Sequence, residues 1–180
     1  MSAHGSALAE LTGWLAPDAV QEQLRIDFLG RLSEGPESLR RDGAPSHLTA
    51  GAVVLDEWAT RVLLVLHAKV QLWMQPGGHI DDGDVSLAAA AMREATEETG
   101  IGDLQPVGRS PVHLDRHAAP CGVQHHLDVR YLLVAPHGVV PTVSEESLDV
   151  RWWPVGALPD KRGDDVSAMV ATAVRAFHAA

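Results

Sequence analysis

Between Gly77 and Ile101 the chain reads GGHIDDGDVSLAAAAMREATEETGI, and this stretch constrains the fold more than any other. Its second half, Arg93 to Ile101, sets three glutamates within five residues of a helical pattern. At ~100° per residue, Glu94, Glu97 and Glu98 project into a sector of roughly 100°. The opposite face presents Ala88, Met92, Ala95 and Thr99, small or flexible side chains that let a helix lie close against a sheet. Three carboxylates on one face repel one another unless they are solvated or neutralised. A hard divalent cation that takes oxygen ligands, such as Mg²⁺, neutralises them best.

The start of the stretch agrees with that reading. Gly77-Gly78 allows a tight backbone turn at little steric cost, and a bare carbonyl there can approach a metal. Asp81, Asp82 and Asp84 sit where acids favour a helix N-terminus, with Asp84 or Ser86 as the expected N-cap. Gly100 suits the left-handed position that ends a helix. A charge run on a helix is ordinarily a solvated face. Here the double glycine, the acidic cap, the arginine, the glutamates and the terminal glycine occur together, which favours the metal site.

These residues resemble the signature of the Nudix hydrolases, G-x5-E-x7-R-E-U-x-E-E-x-G-U, in which U is a bulky apolar residue. The match runs from Gly78 through Arg93-Glu94, Glu97-Glu98 and Gly100 to Ile101. Three positions depart from it. Asp84 stands where the first Glu belongs, eight residues rather than seven separate it from Arg93, and the first U is Ala95. The metal-binding half is intact and the loop half is altered. The extra residue is expected to be absorbed before the helix, with helix from about Ser86 onward and residues 81–85 irregular or capping.

The resemblance implies an α/β/α sandwich with a mixed sheet, here with an N-terminal helical extension. It also implies a hydrolase cleaving a pyrophosphate linkage in a nucleoside diphosphate derivative. Glu94 and Glu98 would be ligands of Mg²⁺ or Mn²⁺, with the Gly78 carbonyl as a third. Glu97 would be a metal-linked residue and possible general base, and Arg93 would fix the carboxylate geometry. The family often supplies a further acid from a late loop, which makes Glu145 or Glu146 alternatives for the base. Asp84 is expected to be structural, as a cap. To reach either the metal or Arg93, the loop would have to fold back. A non-catalytic nucleotide-binding or regulatory module on the same fold is the second reading, and another metal-dependent chemistry such as isomerisation is the third. All three box carboxylates are present, which favours the enzyme.

A net charge of −10 argues against a sequence-independent grip on a nucleic-acid polymer, which needs a basic footprint. It remains compatible with a small phosphorylated substrate, because bound metal inverts the local field. The single cysteine, Cys121, excludes an intrachain disulfide and reads as a plain loop or strand thiol. MSAHGSALAELTG has neither a basic start nor a long apolar run, so no signal peptide or membrane span is expected, and the expected location is cytoplasmic.

Residues 1–44 read as two helices set apart from the rest of the chain. Leu8, Leu11, Trp14 and Leu15 form one apolar stripe, and Val20, Leu24, Phe28, Leu29 and Leu32 a second. Packing on the main domain is the favoured role, with a homodimer contact or a lid as functional alternatives. Gly43-Ala44-Pro45-Ser46 marks the boundary, and residues 45–180 form the main domain. Residues 48–55 and 61–67 are near-continuous apolar runs expected to be central strands covered on both faces. Gln75 stands where many Nudix proteins carry Leu.

Leu104 to Leu114 is expected as a strand bent at Pro106 and Pro111, followed by Asp115, Arg116 and His117 and then a loop from Ala118 through Gly122. Val123 to Val134 is a strong strand, whose alternation sends His126 and Asp128 to one face and His125 to the other. The spacing of His113, His117, His125 and His126 matches no standard zinc pattern, so surface or substrate-pocket histidines are favoured. One of Trp152 and Trp153 is expected in the core, the other free to stack on a base. The chain closes with an amphipathic helix burying Val166, Met169, Val170, Ala173, Val174 and Phe177.

Overall fold

The computed structural model describes residues 2–119, 121–145 and 147–180. Two helices packed on each other come first, α1 (Ala3–Gly13) and α2 (Ala19–Ser33), each opened by a side-chain cap. Ser2 accepts from the Gly5 N–H and Asp18 from the Gln21 N–H, so each satisfies a donor that has no partner within its helix. A single 3₁₀ turn, Pro36–Leu39, leads into β1 (Ser46–Leu55).

Strands β2 (Arg61–His67), β3 (Trp73–Met74) and β4 (Gly77–His79) precede α3 (Leu87–Thr99). After it come β5 (Gln105–Pro106), β6 (His113–Ala118), β7 (His125–Val134), β8 (Ser147–Pro154) and α4 (Val166–Ala179). All eight strands join one mixed sheet. β1 and β7 are its centre and run parallel over ten residue pairs, from Ser46↔His125 to Leu55↔Val134. β1 shares its other edge between two antiparallel partners: β4 along Thr49–Gly51 and β2 at Val54–Leu55. β8 extends the sheet beyond β2, and β6 covers the outer side of β7.

Strand alternation sorts the core into layers. Leu48, Ala50, Ala52 and Val54 face α3, where Leu87, Ala90, Ala91 and Ala95 meet them. The same layer takes Leu11 of α1 and Phe28 and Leu32 of α2, so the N-terminal helices complete one core with the sheet. Val53 and Leu55 point the other way, onto Val166, Met169, Val170 and Ala173 of α4. The two helical layers enclose the sheet as expected.

Several details differ from the sequence reading. Leu15 and Val20 are 90% and 70% exposed, because the helical stripes end at Trp14 and begin at Gln21. The expected strand from Leu104 breaks after Pro106, where Gly108 takes a left-handed φ of 76°, and resumes only at His113. From there the strand runs on past Leu114, its expected end, to Ala118. Trp152 and Trp153 do alternate, but neither stands free. Trp153 packs edge-on against Trp73 with centroids 5.2 Å apart, and the Arg61 guanidinium lies 5.4 Å from the Trp152 ring.

Candidate active site

Helix α3 begins at Leu87 and runs unbroken to Thr99. Ser86 is its N-cap, accepting from the Ala89 N–H, and Gly100 closes it in the left-handed conformation at φ 69°. The extra residue is thus absorbed in the loop ahead of the helix. The buried line of α3 is Leu87, Ala91, Ala95 and Thr99, flanked by Ala90 and Glu98, while Ala88 and Met92 are only partly covered. Rotation by part of a turn from the sequence expectation carries Glu98 inward.

The three glutamates consequently occupy different environments. Glu98 is 7% exposed, whereas the Glu97 side chain is 58% exposed. Glu94 lies between them in burial and directly beneath Gly78. A Cβ on Gly78 would fall 2.6–2.7 Å from the Glu94 carboxylate atoms, and one on Gly77 would fall 2.6 Å from the Gly51 Cα. Neither glycine has a positive φ, and both lie in β4, paired with Gly51 and Ala50 of β1. They are required by close approach rather than by a turn, which corrects the sequence reading.

Arg93 ties the site together. Its Nε donates to Asp84 Oδ1 at 3.2 Å and its Nη2 to Asp84 Oδ2 at 2.8 Å and to the His79 carbonyl at 2.9 Å. Its Nη1 donates to Glu94 Oε1 at 3.0 Å and Glu97 Oε2 at 3.1 Å. One guanidinium thus joins the strand, the loop and two of the three box carboxylates. Asp84 is not the helix cap. The loop folds back, so that Asp84 receives Arg93 bidentately and the Asp81 N–H at 2.8 Å. Burial works to raise the Asp84 pKa, but the Arg93 hydrogen bonds outweigh it and hold the carboxyl below its usual range. The Asp84 hydrogen bonds, above all, raise the Arg93 pKa further.

Gly78, Arg93, Glu94, Glu97 and Glu98 are therefore assembled along one helix and the strand above it. Glu145 lies exposed in the turn before β8, and Glu146 lies outside the described residues. Glu94 and Glu98 lie one helical turn apart, and the Glu94 carboxylate approaches the Gly78 backbone closely, so carboxylate and carbonyl oxygens converge where an oxygen-liganded cation could be held. The donor set of carboxylates and carbonyl suits Mg²⁺ or Mn²⁺.

The other face of the sheet carries a polar layer that the sequence reading missed. The register sets His113, Asp115 and His117 of β6 beside Arg130, Asp128 and His126 of β7, with His47 and Thr49 of β1 and His79 of β4 continuing the row. Asp128 accepts from Thr49 Oγ1 at 3.0 Å, Gln75 Nε2 at 2.9 Å and Arg130 Nε at 2.7 Å. Arg130 also donates to Asp115 Oδ2 at 3.1 Å and to Asp165 at the start of α4. Gln75 is therefore a buried hydrogen-bonding partner of Asp128. His113 and His126 are buried rather than superficial. Alternation at His126 and Asp128 is the signal the sequence offers, and it needs the matching register of β6 and β1 to be read as a layer.

A profile of the NUDIX domain matches residues 45–172. The chain belongs to the Nudix family. Solved structures share its fold. A NUDIX-family hydrolase from Clostridium perfringens aligns with a TM-score of 0.60 at 20% identity, over 74% of this chain and 97% of that one. An Ap4A hydrolase from C. elegans, in a binary complex, aligns with a TM-score of 0.62 at 20% identity, over 73% and 97%. An ADP-ribose pyrophosphatase from Streptococcus suis aligns with a TM-score of 0.55 at 23% identity, over 72% and 90%. A comparison with curated proteins finds no match. None of the helices among the described residues is long and apolar enough to cross a membrane.

Proposed function

We propose that this Nudix protein is a divalent-metal-dependent pyrophosphohydrolase acting on a nucleoside diphosphate derivative. The observation that carries the reading is the apposition of Gly78 to Glu94, with Glu98 buried beside it and Arg93 bridging strand, loop and carboxylates. Glu94, Glu98 and the Gly78 carbonyl would hold Mg²⁺ or Mn²⁺, which supplies charge neutralisation at the phosphate oxygens and a water acidified toward neutral pH. Glu97, exposed at the open side of the helix, accepts the proton of the attacking water. Arg93 keeps Glu97 and Glu94 in register through its Nη1, which donates to both carboxylates. Glu145 or Glu146 is the alternative base.

Residues 1–44 are read as a helical extension and residues 45–180 as the catalytic domain, a division supported by the family match beginning at residue 45. The partner is a small phosphorylated molecule in this reading, without a nucleic-acid polymer or a membrane. The similarity to proteins described as Ap4A and ADP-ribose hydrolases supports a test set of dinucleoside polyphosphates, nucleoside diphosphate sugars, ADP-ribose and nucleoside triphosphates. Incubation with each plus Mg²⁺ or Mn²⁺ should release nucleotide products from at least one class. Saturable nucleotide binding without cleavage across the set would favour a binding module instead. Calorimetry on Glu98→Gln should show Mg²⁺ affinity greatly weakened, with unchanged affinity placing the ion elsewhere.

A further inference from the structure

We propose that His47, His79, His126 and Cys121 form a second metal site, for Zn²⁺ or a comparable borderline ion, on the face of β4 opposite the carboxylates. One ligand atom from each of the four lies within 4.8 Å of all the others, the one such group among the described residues. Cys121 Sγ is 3.1 Å from His126 Nε2 and 3.9 Å from His47 Nε2. The three imidazole centroids are mutually 4.9–5.2 Å apart. Zinc bonds of about 2.0–2.1 Å to nitrogen and about 2.3 Å to sulfur make a tetrahedron with edges of about 3.3–3.6 Å. The observed separations straddle those edges, so small side-chain rotations close the sphere.

The register explains why these four meet despite their spacing in the chain. His47 pairs with His126 across the parallel strands and Thr49 pairs with His79 across the antiparallel ones, so three rings share one face. The loop from β6 to β7 then brings Cys121 over them. No ordinary packing argument accounts for the group. His47 is fully buried, and His79 Nε2 is enclosed with no hydrogen-bond partner among the described residues. Thiol–imidazole hydrogen bonds join Cys121 to His126 and, at 3.9 Å, to His47, but leave the enclosed His79 Nε2 and His47 Nδ1 unexplained. Nitrogen and sulfur donors without a carboxylate select a borderline ion over Mg²⁺.

Four protein ligands fill the tetrahedron and leave no position for water, so the ion is structural. It ties together β1, β7 and β4, a three-residue strand whose one strand partner among the described residues is β1. Gly78 and His79 are neighbours that alternate to opposite faces. The second ion therefore fixes the strand from which Gly78 faces Glu94, without touching substrate.

The test uses untagged full-length chain, with Glu98→Gln as a background that removes the acidic site. Elemental analysis after dialysis should find one Zn²⁺ per chain in both. Co²⁺ should give tetrahedral d–d bands with a thiolate charge-transfer band, a readout that needs no variant. Cys121→Ser should abolish the charge-transfer band and weaken Zn²⁺ binding by more than the about 10–100-fold that losing an outer-shell partner costs. Far-UV circular dichroism checks that the variant is folded. Zinc lost in Glu98→Gln but kept in Cys121→Ser would place the ion among the carboxylates and overturn the proposal. A Co²⁺ spectrum without thiolate character would do the same. Neither result depends on whether the chain hydrolyses a nucleotide.

Discussion

At Gly78 the missing side chain is itself the functional group, because a Cβ there would lie 2.6–2.7 Å from the Glu94 carboxylate. Gly78→Ala must push Glu94 away or lift β4 from α3. We expect the variant to fold and to lose Mg²⁺ affinity at least as severely as Glu98→Gln, measured by calorimetry. Normal affinity would mean that Glu94 is not a ligand. Asp84 makes the contrasting case. Counting helix rise assigns it to a cap, since Arg93 lies two and a half turns further on. That count assumes a loop continuing the helix direction. Ser86 caps instead, and the loop doubles back to place Asp84 on Arg93. A single chain shows that an acid precedes a helix, but not which way an irregular segment turns. Asp84→Asn keeps the shape and removes half of a charged, bidentate pair. A stability loss of about 1.5–3 kcal/mol is expected, with Mg²⁺ affinity reduced less than in Glu98→Gln. Loss of turnover without any change in denaturation midpoint would assign Asp84 to the chemistry itself.

At the level of elements, periodicity suffices wherever one face of a segment is apolar. β1, β2, β7, α3 and α4 all stand where residues 48–55, 61–67, 123–134, 86–99 and 164–180 place them, within two residues at most ends. It fails where polar side chains are the buried ones. β6 is legible only as far as Leu114, because Asp115 and His117 interrupt the apolar pattern, yet His113, Asp115 and His117 are the residues that face β7's polar row. The N-terminal helices are legible as helices, but their attachment is not. It runs through Gln21, a polar residue on the buried face of α2, whose Nε2 donates to the Leu114 carbonyl at 2.9 Å while its Oε1 accepts the Leu114 N–H at 2.7 Å. The amide thus stands in for a strand along the open edge of β6. Gln21→Leu would strand two buried backbone groups, at about 1–3 kcal/mol for each. Urea denaturation should show at least the lower figure, and amide exchange at Leu114 should quicken. An unchanged midpoint would show that α2 is held by Phe28 and Leu32 alone.

Over the whole molecule, the two faces of the sheet are unequal. One is largely apolar and covered by α1, α2 and α3, while the other passes from the apolar patch under α4 to the layer centred on Arg130. Arg130 is buried, and Asp115, Asp128 and Asp165 surround it. Such a network is stable only while its carboxylates are ionised. For Asp165, burial acts to raise the pKa, but the His113 hydrogen bond and the Arg130 charge outweigh it and leave it lowered. Asp115 is likewise lowered against burial, by His117 and Arg130. A carboxyl whose folded pKa lies below its unfolded value of about 3.9 contributes stability above that value. The contribution is lost as pH falls through the folded pKa. Asp165→Asn keeps an acceptor for His113 but removes one charge from Arg130. The variant should be less stable at pH 7 by about 1.5–3 kcal/mol. The difference from wild type should hold down to about pH 4 and shrink below it, because both proteins then carry a neutral group at that position. Denaturation midpoints measured from pH 7 to pH 2 give the two curves. Curves that stay parallel below pH 4 would show that Asp165 is not ionised against Arg130, and that the start of α4 is held to the sheet by its apolar side chains.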